Sequence, residues 1–259
     1  MCLILVAWQV HANYPCVIAA NRDEFHSRPA ATAHWWPGEC GVLAGRDLQA
    51  GGTWLGITRA GRFAALTNYR DPGAQVTAAP RSRGALVARF LEQRTPLPAS
   101  LAEVAQRGAN CNPFNLIASD GQGLGVYAST TGETQTLQPG IYALSNHLLD
   151  TPWPKVQLAK SRLATALAAL PDTSALLDLL RDDTPAADEH LPRTGISIEH
   201  ERMLSSAFIR GEHHGTRSST VVTIASDRGV TFSEWSWNPA GVLDGNVRFG
   251  FDLATPAHP

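Results

Sequence analysis

Residues 2–10 and 16–22 are apolar at nearly every position, separated by the polar turn His11-Ala12-Asn13-Tyr14-Pro15. Two such runs around a Pro-containing turn predict an antiparallel hairpin. Apolar side chains on successive rather than alternate residues imply strands covered on both faces. A second hairpin is expected from 53–59 and 62–68 around Ala60-Gly61, whereas 29–48, rich in Pro and Trp, reads as a loop. Leu86, Val87, Phe90 and Leu91 share one side of a helix predicted over 81–93, and a second helical stretch runs over 100–106. Short strands return at 115–118, 125–128, 134–137 and 141–144. Pro152-Trp153-Pro154 then opens the strongest helix, 155–169, with Val156, Ala159, Leu163, Ala166, Leu167 and Leu170 on its buried side. Leu-rich 173–181 predicts another helix, and the polar, Pro-containing stretch 184–202 reads as a surface excursion. Strands at 220–225 and 229–235 close the core, with 248–253 as an edge.

Antiparallel strand pairs with helices inserted in groups define an α+β chain, not a doubly wound parallel sheet. Two stacked sheets with helices outside them would cover the doubly apolar strands. The 259 residues carry a formal net charge of −2, which argues against a nucleic-acid surface. No stretch reaches transmembrane length. The apolar N-terminal run has no basic leader and is interrupted by Gln9, His11 and Asn13, so it reads as a strand and the protein as cytosolic. Cys2, Cys16, Cys40 and Cys111 show no CxxC spacing, so neither zinc nor a redox pair is indicated. The adjacent pair His213-His214 is a poor metal or haem ligand set, because neighbouring His on regular structure rarely chelate together.

Cys2 changes the picture. It stands directly behind Met1, and removal of Met1 would leave a thiol nucleophile and a free α-amine on one α-carbon. With a reference pKa of about 7.7–8.0, that amine could accept the thiol's proton near neutrality. A small buried residue opening a strand is the plainer alternative. Asn21-Arg22-Asp23-Glu24 ends the second strand, and hairpin pairing brings this cluster beside Cys2. Alternation puts Asn21 and Asp23 on one face and Arg22 and Glu24 on the other. A carboxylate there could hold the amine and a guanidinium could favour thiolate; a strand running into solvent would look the same. Asn68 and Tyr69, like Ser145-Asn146-His147, end strands on polar groups that either cap turns or donate to an oxyanion. Arg217 precedes a core strand and could anchor a substrate carboxylate or form a surface ion pair.

Met1-Cys2, Asn21-Arg22-Asp23-Glu24-Phe25, Gly51-Gly52-Thr53-Trp54-Leu55-Gly56, Leu66-Thr67-Asn68-Tyr69, Asn112-Pro113-Phe114-Asn115, Tyr142-Ala143-Leu144-Ser145-Asn146 and Gly215-Thr216-Arg217 occur in order along the chain. Together they resemble the NRDE family, whose best-known members are the transport-and-Golgi-organisation type 2 proteins. The resemblance spans almost the whole chain, weakest over 170–212, and implies one domain over 1–259. It implies the N-terminal-nucleophile hydrolase fold, a four-layer αββα sandwich of two stacked antiparallel sheets between helical layers. The cysteine branch of that fold includes bile-salt hydrolases and penicillin V acylases, which cleave amides through a thioester.

By that resemblance Cys2 is the nucleophile and Asp23 holds its amine. Asn146 is an oxyanion donor with Asn68 or the Tyr69 amide as the second, and Arg217 is a late site arginine. Asn21, Arg22, Glu24 and Tyr69 support the site. Ala20 stands where the acylases carry arginine, with Arg22 in the place of a leucine. The expected function is cleavage of a linear amide or related acyl compound, with no metal or organic cofactor required. The alternative is a non-catalytic carrier of haem or acyl-CoA in the same cleft, in line with the family's links to haem trafficking and lipid handling. Loops 29–48 and 71–80 are expected to line the pocket.

Overall fold

A computed structural model describes residues 2–38, 40–71, 73 and 81–254. In chain order the strands are β1 (Cys2–Trp8), β2 (Cys16–Phe25), β3 (Ala30–Trp35), β4 (Val42–Asp47), β5 (Leu55–Thr58), β6 (Phe63–Asn68), β7 (Phe114–Ser119), β8 (Leu124–Ala128), β9 (Glu133–Leu137), β10 (Gly140–Leu144), β11 (His214–Ile224), β12 (Gly229–Trp237) and β13 (Leu243–Asp252). The α-helices are α1 (Gly84–Glu92), α2 (Leu97–Gly108), α3 (Pro154–Ala166), α4 (Ser174–Leu180) and α5 (Ile198–Met203).

The strands form a six-stranded sheet in the order β10-β1-β2-β11-β12-β13 and a seven-stranded sheet running β3 to β9 in sequence. Every ladder is antiparallel. Alternation along β1 divides its side chains between two cores. Ile4, Val6 and Trp8 pack with Ile18, Ile57, Phe63 and Phe232 between the sheets. Leu3, Leu5 and Ala7 pack with Val156, Leu163, Leu176 and Leu180 from α3 and α4. A third core joins the outer face of the seven-stranded sheet to α1 and α2 through Leu66, Leu86, Phe90, Leu101 and Phe114. These are the four layers, helices–sheet–sheet–helices, and they explain why all of β1 is buried.

Two stretches differ from expectation. Residues 29–48 form β3 and β4, not a loop. β3 is an edge strand with Ala33 as its only fully buried residue, so its short run carries no clear apolar period. Within 184–202, α5 buries Glu201, so this segment is part of the packed structure. Of the stretch 71–80, only Asp71 and Gly73 are among the described residues.

β11 begins earlier than its apolar run, at His214. Its polar start lies along the polar end of β2, with Asp23 opposite Thr216, Arg22 opposite Ser218 and Asn21 opposite Ser219. Polar residues therefore meet across a buried ladder, where each must find a partner. Among the described residues, no helix is long and apolar enough to cross a membrane.

Candidate active site

The first hairpin pairs Cys2 directly with Arg22. Both continue the row of Ile4 and Ala20, so they project between the sheets. A cavity of about 690 Å3 opens there, with Cys2, Arg22, Asn68, Arg217 and Glu234 in its wall. Cys2 is buried, 8% exposed. Burial raises its thiol above the ordinary value, and the Arg22 guanidinium acts in the opposite sense. Arg22 lies 3.8 Å from Glu24, which also approaches Arg28 at 4.0 Å.

Asn21 and Asp23 belong to the other face. Asn21 Nδ2 donates to the carbonyls of Leu180 at 2.7 Å and Ala207 at 2.8 Å, and its Oδ1 accepts from Ser219 at 2.6 Å. It is a strut between β2 and the helical layer. Asp23 Oδ1 accepts from the Thr216 hydroxyl at 2.7 Å, and burial pushes its carboxyl up to about 6, with Lys155, Thr216 and Arg22 opposing. Lys155 is buried on α3, donates to the Leu204 carbonyl at 2.9 Å, and is held down to about 8 by burial, with Asp23 opposing. Asp23 also reaches the cavity wall at the strand end.

The opposite rim comes from the ends of β6 and β10. Asn68 lines the cavity, and its carbonyl accepts from Asn146 Nδ2 at 2.9 Å. Asn146 is fully buried, and its neighbour Ser145 donates to the Cys2 carbonyl at 3.2 Å. The Tyr69 amide donates to the Pro113 carbonyl at 3.0 Å, and its hydroxyl meets His147 Nε2 at 2.8 Å. Of the two second donors left open by the sequence, the Tyr69 amide is therefore already bonded. Asn68 lies opposite Phe114, on the row of Leu66 that packs against α1 and α2, whereas Asn146 continues the row of Leu144 and Ile4 between the sheets, beside Cys2, and keeps a second Nδ2 hydrogen beyond the one given to Asn68. Arg217 donates to the carbonyls of Phe25, His26 and Arg28 at 3.0, 3.1 and 3.2 Å, so it braces the turn after β2 while lining the cavity.

Sequence reasoning missed Lys155, Arg70, Glu201 and Glu234. Glu234 is buried on β12, and its Oε1 accepts from the Ala33 amide at 2.7 Å, linking the two sheets at the cavity. Burial raises its carboxyl above the usual range. A signal existed for two of them. Lys155 interrupts the apolar stripe of a helix, and Glu234 follows Phe232 at strand spacing inside a core strand. Neither residue has an expected partner nearby in sequence. Among the described residues, no group of three or more His, Cys, Asp or Glu could hold a metal ion.

Residues 1–239 match the profile of the family described as Transport and Golgi organisation 2. The chain belongs to that family. A Transport and Golgi organization protein 2 homolog from Bos taurus is 38% identical over 261 residues, covering 91% of this chain and 93% of the relative. The Homo sapiens homolog is 37% identical over 262 residues, with the same coverage of 91% and 93%. Among solved structures, a variant of the conjugated bile acid hydrolase from Clostridium perfringens aligns over 97% of this chain and 92% of its own, at 11% identity and a TM-score of 0.48. The Transport and Golgi organisation 2 description names a cellular role and no reaction.

Proposed function

We propose that this member of the Transport and Golgi organisation 2 family is a Cys N-terminal-nucleophile hydrolase acting on a linear amide or related acyl compound. The observation that carries the reading is the position of Cys2 in the wall of a large cavity, paired with Arg22 and adjacent to Asp23. In this reading Met1 is removed and the α-amine of Cys2 takes the thiol's proton. The thiolate attacks the substrate carbonyl, forming a C–S bond and placing the carbonyl electron pair on oxygen. Asn146 Nδ2 donates its second hydrogen to that oxyanion, the Asn68 carbonyl holds Asn146 through the first, and Asp23 orients the amine. Collapse breaks the C–N bond, and the amine passes its proton to the leaving nitrogen. Water then attacks the thioester, the C–S bond breaks, and the thiol is restored. Every step uses groups of the chain, the substrate and water.

Intact mass, followed by mapping of brief iodoacetamide labelling from pH 6 to 9, tests the first requirement. The expected result is Met1 absent and Cys2 labelled faster than Cys16, Cys40 or Cys111. An amide panel should then give turnover that Cys2→Ala abolishes. Retention of Met1 together with an inert Cys2 removes the amine base and overturns the reading.

A second reading rests on charge. The cavity wall carries five carboxylates as well as six arginines, and Arg22 and Arg28 are paired with Glu24 and Asp47; Arg46, Arg81, Arg83 and Arg217 have no carboxylate within 4.0 Å among the described residues and suit a ligand with anionic groups such as haem or acyl-CoA. Stoichiometric binding that survives Cys2→Ala, with no turnover, would select this carrier role.

A further inference from the structure

The inward face of the six-stranded sheet changes character along its length. One row across it, Val6, Ile18, Val222, Phe232 and Phe249, is apolar throughout and packs between the sheets. Nearer the strand ends, the row of Cys2, Arg22, Ser218 and Ser236 is polar. The row between these two pairs Thr220 with Glu234. Alternate residues of a strand point the same way, so all of these polar side chains share the face of Cys2. Arg22, Ser218, Ser236 and Glu234 line the Cys2 cavity, and Arg22, Ser218, Thr220 and Glu234 are buried.

Buried polar groups ordinarily find partners within the protein. On this floor several do not. Among the described residues, the Ser218 and Ser236 side chains make no hydrogen bond. The carboxylate nearest Arg22 is Glu24 at 3.8 Å, too long for a hydrogen bond, so the guanidinium donors are unspent. Glu234 gives Oε1 to the Ala33 amide at 2.7 Å and keeps Oε2. Gly45 of the facing sheet lacks the Cβ that would stand 3.7 Å from that oxygen. Arg22 and Glu234 form no ion pair with each other, because β11 runs between their strands and sets the two backbones about 10 Å apart. Between them β11 contributes only the short side chains of Ser218 and Thr220. The Arg22 charge still reaches Glu234 and opposes the effect of burial on its carboxyl. The floor is a trough beside the thiol, with a cation at one wall, a carboxylate at the other and hydroxyls between.

We propose that this floor is a subsite for the zwitterionic α-amino-acid end of an ω-amide, such as glutamine or a γ-glutamyl amide, with the ligand carboxylate on Arg22, its ammonium on Glu234 and its amide carbonyl directed to Cys2. An α-amino acid carries both charges on one carbon, so one small group meets both walls of the trough. A fatty chain laid on the same floor would leave Arg22 and Glu234 against hydrocarbon, a heavy cost for buried charges. Cys2 and Arg22 stand opposite each other on neighbouring strands, about 5 Å apart, a spacing that a side chain of two methylenes bridges. The inference deepens the nucleophile reading above and rests on it for the fate of the amide, not for the binding.

Isothermal titration of the full chain carrying Cys2→Ala separates binding from turnover. The probes are L-glutamine, 4-aminobutanamide, which lacks the carboxylate, and 4-carbamoylbutanoate, which lacks the ammonium. Glutamine is expected to bind about 10- to 100-fold more tightly than either, the usual worth of one hydrogen-bonded charge. Adding Glu234→Gln, whose carboxamide oxygen can still accept from Ala33, should weaken glutamine and 4-aminobutanamide by about 10-fold or more and leave 4-carbamoylbutanoate unchanged. Adding Arg22→Met instead should weaken glutamine and 4-carbamoylbutanoate and leave 4-aminobutanamide unchanged. Equal losses for all three probes would make both residues supports of the fold and overturn the subsite. Glutamine bound no better than its one-charge analogues also overturns it, on the parent protein alone, whether or not either variant folds. Both results leave the iodoacetamide test of Cys2 untouched. Conversely, an inert Cys2 in a protein that keeps the glutamine selectivity removes the nucleophile and leaves the subsite standing.

Discussion

Asn21 and Asp23 on one face of β2, and Arg22 and Glu24 on the other, are consecutive in sequence and differ in what surrounds them. Asn21 meets two backbone carbonyls and a serine hydroxyl, all buried, so its hydrogen-bonding capacity is spent inside the structure. Arg22 meets a carboxylate at 3.8 Å and otherwise faces the cavity that Cys2 lines. Asn21 on the helix-facing side is closed chemistry, Asp23 on that side reaches the cavity at the strand end, and Arg22 on the other side is open to it. The same polar cluster therefore contains residues that hold the sheet to its helices and residues positioned to meet a ligand.

The sharpest way to break this comparison is Asn21→Ala. It takes the donor from the carbonyls of Leu180 and Ala207 and the acceptor from the Ser219 hydroxyl proton, whose oxygen keeps its bond from Trp237, at about 1–3 kcal/mol for each buried group left unpaired. Urea unfolding should show a loss of about 3 kcal/mol or more, while the folded fraction keeps the pH profile of Cys2 alkylation. A stability change near zero would remove the strut.

Asp23 comes next, and its effect depends on pH. Its carboxyl titrates at about 6 in the fold against 3.8 as its ordinary value, so the folded state binds more protons between those limits. Its contribution is therefore fully present below 3.8 and is lost as pH rises through about 6. Asp23→Asn should flatten that part of the stability profile. An unchanged slope between pH 4 and 6 would show that another group sets it.

Arg22→Met is expected to leave stability nearly unaltered and to act on reactivity. Losing the guanidinium opposite Cys2 raises the thiol further, so alkylation at pH 8 should slow by up to about 10-fold, with the profile displaced to higher pH. An unchanged profile would show that Arg22 does not tune the thiol. The smallest effect belongs to Arg217→Met, which removes the one nitrogen, Nη1, that donates to three carbonyls. Limited trypsin digestion should cut faster after Arg28, with a stability loss of about 1 kcal/mol. Cleavage at the wild-type rate would remove the bracing role.

Much of the fold was legible in the chain. The two hairpins, the doubly covered β1 and β2, and the apolar faces of α1 and α3 all follow from periodicity over a few residues. β3 escaped because an edge strand in contact with the cavity mixes exposed and buried positions. The segment around α5 escaped for a different reason. Its buried residue is a glutamate whose partner Arg70 lies 131 residues away, and polarity alone reads as surface. Of the candidate site, the hairpin argument brought Cys2 beside Arg22, and the cluster of polar strand ends pointed to Asn68 and Asn146. It could not reveal that the Tyr69 amide is bonded to Pro113 or that the Asn68 carbonyl accepts from Asn146.

By itself, then, the sequence determined the α+β class, the covered sheets and the residue types gathered at the ends of the strands. These depend on backbone geometry and on apolar spacing within single elements. Only the tertiary structure decided which residues of β2 are spent inside the structure and which reach the cavity, which donors are already bonded, and that Lys155, Glu201 and Glu234 are buried charges. Those outcomes depend on partners far apart in the chain, such as Ala33 and Glu234 at 201 residues, and on the desolvation that packing imposes on them.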